Sequence, residues 1–194
     1  MNKQAEKQAL RETMRKLNEK LSSRYLSASS RAIQSHLLAM TEYQEAETVF
    51  CFVSGPREVD TFPVLAHVLE RGKILCVPRC TEGTMELRQI TAVDQLHSGA
   101  YGILEPSADA PKISTDAVDF AILPCVTCNH AGQRLGHGGG YYDRFLSKYR
   151  SGTVLLCPER LIREEIPVEP SDYPIPWVLT EVGLYEDGTP ARLS

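Results

Sequence analysis

Apolar residues recur with two different periods along this chain, and the change of period divides it. Between residues 3 and 24, Leu10, Met14, Leu17 and Leu21 return every three or four positions, which sets them on one side of an α-helix. Lys3, Lys7, Arg11 and Arg15 follow one another at i+4, so a basic stripe runs beside the apolar one. A second helix is expected over residues 29–40, with Ile33, Leu37 and Leu38 inward and Ser27, Ser29 or Ser30 as its N-cap.

From residue 48 the period shortens. Residues 48–53 form a β-rich run, followed by turn chemistry in Ser54-Gly-Pro-Arg57. Asp60 or Thr61 can cap a helix through about Glu70, and residues 73–77 read as the next strand, stopped by Pro78. Residues 85–90 alternate as an edge strand would, and 91–117 are rich in loop residues. Residues 118–123 are continuously apolar up to Pro124, as in strands covered on both faces. A glycine segment then leads into a helix expected over 141–149, and strands are expected at 153–157 and 177–180. Strands alternating with helices predict an α/β protein of three layers, α/β/α, around a mostly parallel sheet. No repeat or linker divides residues 1–194, so a single domain is expected.

Composition narrows the class. Hydrophobic residues make up 42% and charged residues 24%, ordinary for a globular protein. The longest apolar stretch contains Pro124 and is far shorter than the roughly 20 residues that cross a bilayer. The charged start, from Lys3 onward, does not resemble a secretory signal. A cytoplasmic monomer without membrane contact is expected. The net charge of −4 argues against a general nucleic-acid binder. Residues 1–24 hold seven Lys/Arg against three Glu, a net +4, which leaves −8 on the remainder. A basic segment on an acidic body suits a local anion site.

Six cysteines stand at 51, 76, 80, 125, 128 and 157. Cys125-Val-Thr-Cys128 has the spacing of a metal or redox pair. A zinc site would need a second pair, for which Cys76 and Cys80 are the candidates, and no suitable His pair follows either. Four of the six lie in or beside apolar runs, where a thiol behaves as a small hydrophobe. The structural reading is preferred.

The chemistry concentrates in Arg134-Leu-Gly-His-Gly-Gly-Gly-Tyr-Tyr-Asp-Arg144. Strand, loop, glycines and helix in that order put backbone N–H groups where ligands of open α/β sheets collect. Gly136, Gly138, Gly139 and Gly140 make a phosphate cradle, and Arg134 and Arg144 add guanidinium donors. Asp143 offers a carboxylate to Mg²⁺ bridging phosphate oxygens. The segment lacks both the Gly-Lys-Ser/Thr of a P-loop and the dinucleotide spacing.

That segment resembles the signature of the 5-formyltetrahydrofolate cyclo-ligase family, also called 5,10-methenyltetrahydrofolate synthetases. Lys7-Gln-Ala-Leu-Arg11, Phe52-Val-Ser-Gly-Pro-Arg-Glu-Val-Asp-Thr61, Gly102-Ile-Leu-Glu-Pro106 and Ile166-Pro-Val-Glu-Pro-Ser-Asp172 are similar to further family segments in order and spacing. The resemblance implies the NagB/RpiA/CoA-transferase-like fold. It also implies an ATP- and Mg²⁺-dependent closure of 5-formyltetrahydrofolate to 5,10-methenyltetrahydrofolate, with ADP and phosphate released. Lys7 and Arg11 would contact ATP phosphates, and Arg134, Leu135, Gly136, His137, Gly138, Gly139, Gly140, Tyr141 and Tyr142 would line the nucleotide. Val53 and Glu58 would bind the folate, which residues 137–141 also reach. Asp143 and Asp172 would hold Mg²⁺, and Arg134, His137 and Tyr141 would be catalytic. The chain departs from the family pattern at His137, at Gly139 and at Cys128-Asn129. A family paralogue acting on another small molecule, or a non-catalytic nucleotide- or folate-binding protein, is the alternative.

Overall fold

In this computed structural model, which describes residues 2–81, 83–99 and 102–193, the chain opens with two helices where the apolar stripe suggests one up to residue 24. Helix α1 (Lys3–Lys20) stops because Leu21 turns extended, and Ser22 restarts the chain as N-cap of α2 (Ser23–Ala39), its hydroxyl accepting from the Tyr25 N–H. The expected start at residue 29 is therefore corrected: Ser29 and Ser30 are buried inside α2. Of several serines in this stretch, only Ser22 adjoins a residue that has already left the helix.

A short α3 (Thr41–Glu45) precedes β1 (Thr48–Cys51), α4 (Phe62–Glu70) and the hairpin of β2 (Ile74–Thr81) and β3 (Thr84–Ile90). Next come β4 (Leu96–Ser98), β5 (Leu104–Pro106), β6 (Lys112–Ile113) and β7 (Phe120–Leu123), then β8 (Thr127–Cys128) and β9 (Arg134–Leu135). Helix α5 (Tyr141–Leu146) leads to β10 (Gly152–Leu156), β11 (Trp177–Thr180), β12 (Gly183–Glu186) and β13 (Thr189–Ala191).

Nine of these strands make one sheet in the order β13-β12-β11-β10-β7-β1-β2-β3-β6. The central β2, β1, β7, β10 and β11 run parallel, and antiparallel strands extend both sides, so the sheet is mixed but largely parallel. Pro78 does not end β2; it pairs with Leu87 of β3. Strand β1 reaches only Ile74–Cys76, so from Val77 onward no ladder with β1 needs an N–H, and proline fits such a one-sided position. Strand β3 is likewise not the edge, because β6 pairs with it outside.

Side chains of the central strands alternate between two cores, as the two-residue period requires. Val49, Cys51, Phe120, Ile122, Val154 and Leu156 join residues of α2, α3 and α4 on one face. Phe50, Ala121, Leu123 and Leu155 meet Met14 of α1 and Phe145 of α5 on the other. Helices on both faces give the three layers. The chain leaves β1 toward β2 and later returns to β1's other side as β7. The C-terminal ends of β1 and β7 thus flank the point where the strand order reverses, the habitual ligand crevice of such sheets.

Candidate active site

At that crevice the chain after β1 folds into a tight loop. The Thr61 hydroxyl donates to the Phe52 carbonyl at 2.9 Å and accepts from the Ser54 N–H at 3.0 Å. This brace sets Glu58, whose Oε2 accepts from the Gly55 N–H at 2.7 Å while Oε1 lies 3.2 Å from His137 Nε2. A pocket of about 240 Å³ opens beside this pair, with Arg11, Asn18, Phe52, Glu58, Cys125 and His137 among its walls. The hydrogen bond from Glu58 holds the His137 imidazole above its ordinary pKa, against the opposing effect of burial.

The glycine segment begins on β9, which pairs with β8. Arg11 Nε donates to the Gly136 carbonyl at 2.8 Å, tying α1 to the loop. Gly138 has φ +103°, and a Cβ there would stand 3.4 Å from the Arg11 guanidinium carbon; glycine lets the loop and the arginine pack this closely. Arg144 Nη2 donates to the Gly139 carbonyl at 3.0 Å, its guanidinium lies 5.1 Å above the Tyr141 ring, and the Tyr141 hydroxyl donates to the Thr81 carbonyl at 3.5 Å. Helix α5 ends at Leu146, not at residue 149. Arg150 donates to the carbonyls of Leu146, Ser147 and Tyr149 and so satisfies the C-terminal acceptors of a helix only six residues long. So short a helix has a weak dipole.

The predicted phosphate contacts and predicted metal ligands meet each other. Lys7, 6% exposed, donates to Glu169 Oε2 and Asp172 Oδ2, each at 2.7 Å. Burial alone would lower its pKa, yet the two carboxylates outweigh burial and raise it. Arg134, nearly buried, pairs with the half-exposed Asp143 and lies 5.9 Å above the Tyr142 ring. The oxygens of Asp143, Asp172 and Glu169 are hard donors of the kind Mg²⁺ shares with substrate phosphates; Asp172 and Glu169 meet on Lys7, whereas Asp143 pairs separately with Arg134. Val53 is buried in the α2/α4 core, and Phe52 and Val59 form the apolar pocket wall instead. Tyr142 packs against both cores, and burial keeps its phenol well above the ordinary pKa, hence neutral.

Three residues escape the sequence reading. Asn18 and Arg57 line the pocket, and Arg57 reaches back to the carbonyls of Asn18 and Leu21. Asn18 Oδ1, Arg57 Nε and Arg134 Nε are buried without a hydrogen-bond partner among the described residues. Buried polar atoms are nearly always satisfied; two of these three, on Asn18 and Arg57, belong to residues that line the pocket. Glu169 is the third, and its only sequence signal is proximity to Asp172.

Residues 3–181 match the model of the 5-formyltetrahydrofolate cyclo-ligase family. The chain belongs to this family. The 5-formyltetrahydrofolate cyclo-ligase of Escherichia coli (strain K12) is 31% identical over 148 residues, covering 73% of this chain and 81% of that one. The mouse (Mus musculus) 5-formyltetrahydrofolate cyclo-ligase is 29% identical, covering 81% of this chain and 87% of its own. The NMR structure of 5,10-methenyltetrahydrofolate synthetase from Aquifex aeolicus matches at 27% identity with a TM-score of 0.83, over 97% of this chain and 96% of that one. The cyclo-ligase family's reaction is this chain's reaction: ATP drives ring closure of 5-formyltetrahydrofolate to 5,10-methenyltetrahydrofolate.

Proposed function

We propose that the crevice at the ends of β1 and β7 is where this cyclo-ligase reaction takes place, and that its ligands divide as follows. The folate ring rests against Glu58, backed by Val53 through Phe52. ATP runs along residues 134–142, with Lys7 and Arg11 on its phosphates. Asp143 and Asp172 would hold Mg²⁺, which would supply positive charge against the phosphates. The observation carrying this reading is the convergence of Arg11, Glu58 and His137 on one pocket, although they lie far apart in sequence.

The chemistry then follows from position. The formyl oxygen attacks the γ-phosphorus and ADP departs; N10 attacks the activated carbon, phosphate departs and the N10 proton is lost. Neither step needs a protein nucleophile, so the residues act by alignment and charge stabilisation. Glu58 keeps lone pairs free on both oxygens and can accept from ring N–H groups without releasing Gly55. Arg134, His137 and Tyr141 surround the transferring phosphoryl group. Lys7 and Arg134 are held by carboxylates, which orients their charges for the phosphates. The same reading takes residues 1–194 as one monomeric domain of the NagB/RpiA/CoA-transferase-like fold, supported by a single sheet that draws strands from most of the chain.

The absorbance of methenyltetrahydrofolate reports product directly. Product should form only when ATP and Mg²⁺ are both present, and Asp143→Asn should cut the rate roughly ten- to hundred-fold, the scale of one charge-assisted contact, while raising the Mg²⁺ requirement. A variant with unchanged rate and Mg²⁺ dependence removes Asp143 from the metal site.

A further inference from the structure

One wall of the pocket carries chemistry that the ligase reaction does not use. Cys125 follows β7 after Pro124, Cys157 follows β10 directly, and β7 and β10 are neighbouring parallel strands in register from Gly152↔Phe120 to Leu155↔Leu123. Their ends therefore lie side by side. Cys128 comes back to the same spot on β8. The three sulfurs all lie within 4.8 Å of one another, the one gathering of three or more metal-ligating side chains among the described residues. Cys128 and Cys157 are fully buried, whereas Cys125 is partly exposed and lines the pocket. The third member is thus Cys157, not the Cys76/Cys80 pair that the spacing alone suggests.

Thiolates are soft donors that select zinc or monovalent copper over Mg²⁺. At a zinc–sulfur bond length of about 2.3 Å, three sulfurs around one ion stand roughly 3.7–4 Å apart, so the cluster needs to contract by less than about 1 Å. A disulfide between any two would leave the third thiol without a role, whereas an ion uses all three. Hydrogen bonds from Cys128 and then Cys157 hold the Cys125 thiol well below the usual thiol range, with Arg134 adding attraction; Cys128 and Cys157 are pushed up in exchange. An arriving cation would displace the thiol protons: M²⁺ plus three thiols gives a tris-thiolate complex and three H⁺, one fewer for each thiol already ionised. Arg134, whose backbone pairs with Cys128 across β8 and β9, offsets the surplus negative charge.

We propose that Cys125, Cys128 and Cys157 form a three-sulfur site for a thiophilic cation of the Zn²⁺ or Cu⁺ class, with its fourth coordination position open to the pocket, so that occupancy inhibits the ligase. Ion binding stands on the sulfur positions alone; inhibition rests on the pocket assignment above.

The two parts separate in one experiment. Reduced, metal-free, full-length protein is titrated with Cd²⁺ in thiol-free buffer, and sulfur-to-cadmium charge-transfer absorbance and released protons are recorded. The band should saturate at one equivalent with proton release that saturates at the same point, and Zn²⁺ should compete. Cys125→Ser should weaken binding by roughly tenfold or more, about 1.4 kcal/mol. Cys80→Ser should leave it intact. Because Cys128 is buried, Cys128→Ala is read only if circular dichroism shows native structure, and it too should lose the band. No band at one equivalent, or a band that keeps its full affinity in Cys125→Ser, overturns the site. Ligase rate with and without one equivalent of Cd²⁺, at excess Mg²⁺ and ATP, should fall in the wild type and hold its ratio near unity in Cys125→Ser. A saturated band with undiminished activity overturns inhibition through the pocket and leaves the three-sulfur site standing.

Discussion

Glu58 serves two neighbours at once, and the consequences can be read from pH. Because its hydrogen bond raises the His137 pKa, the protonated ring is the form the folded protein favours. That attraction is complete below the ordinary imidazole value of about 6.5 and fades as pH rises through the folded value. The His137 side chain is 67% exposed, so solvent screening leaves the pair little weight in global stability. Glu58→Gln should move the His137 titration, followed by NMR of the ring protons, to lower pH; an unmoved titration would dissolve the pair. Lys7→Met should raise KM for ATP by roughly tenfold or more, given about 1.5–3 kcal/mol for a hydrogen bond between charged groups, and steady-state kinetics at fixed folate would reveal it. Lys7 and Arg11 were legible because four-residue spacing shows on a helix. Which residues they pair with (Glu169, Asp172 and Gly136) was not, since contacts across 125 to 165 positions leave no periodic trace.

At the scale of elements, legibility followed burial. The runs that became β1, β7, β10 and β11 are covered on both faces and read as apolar blocks. The β8/β9 hairpin is buried but only two residues long on each strand, too short to show a period, and β12/β13 is largely exposed. Asp187-Gly188, both with positive φ, is nonetheless a strong hairpin signal and would have marked β12/β13. The β8/β9 turn has a sharper determinant. Gly132 has φ +76°, its carbonyl accepts from the Ile175 N–H at 3.0 Å, and the Ile175 carbonyl oxygen would lie 1.7 Å from an added Cβ. Gly132→Ala should therefore cost more than about 2 kcal/mol, seen as a lower urea midpoint with an unchanged slope. A near-neutral effect would mean that residues 129–135 and 175 can part without loss.

Alternation of strands and helices was enough to reveal a layered α/β molecule, but not the order of its strands. That order depends on which strand ends meet, and it decides where the pocket forms. Helix α1 closes the pocket from outside the sheet, held by Arg11 at Gly136 and by Lys7 at Glu169 and Asp172. A nucleotide engaging the same cations should slow hydrogen exchange along α1 more than along α4, which packs in the opposite core. Equal protection of both helices would separate α1 from the nucleotide site. The same arrangement sets a timetable for synthesis. Helix α1 leaves the ribosome first, yet the acids that receive Lys7 are more than 160 residues behind it. A nascent chain can pair β1 with β2 and still lack any place for ATP. On the proposed placement of ATP, nucleotide affinity should arise only once the segment carrying Glu169 and Asp172 is made, and a ribosome-stalled fragment ending before residue 169 should be blind to it.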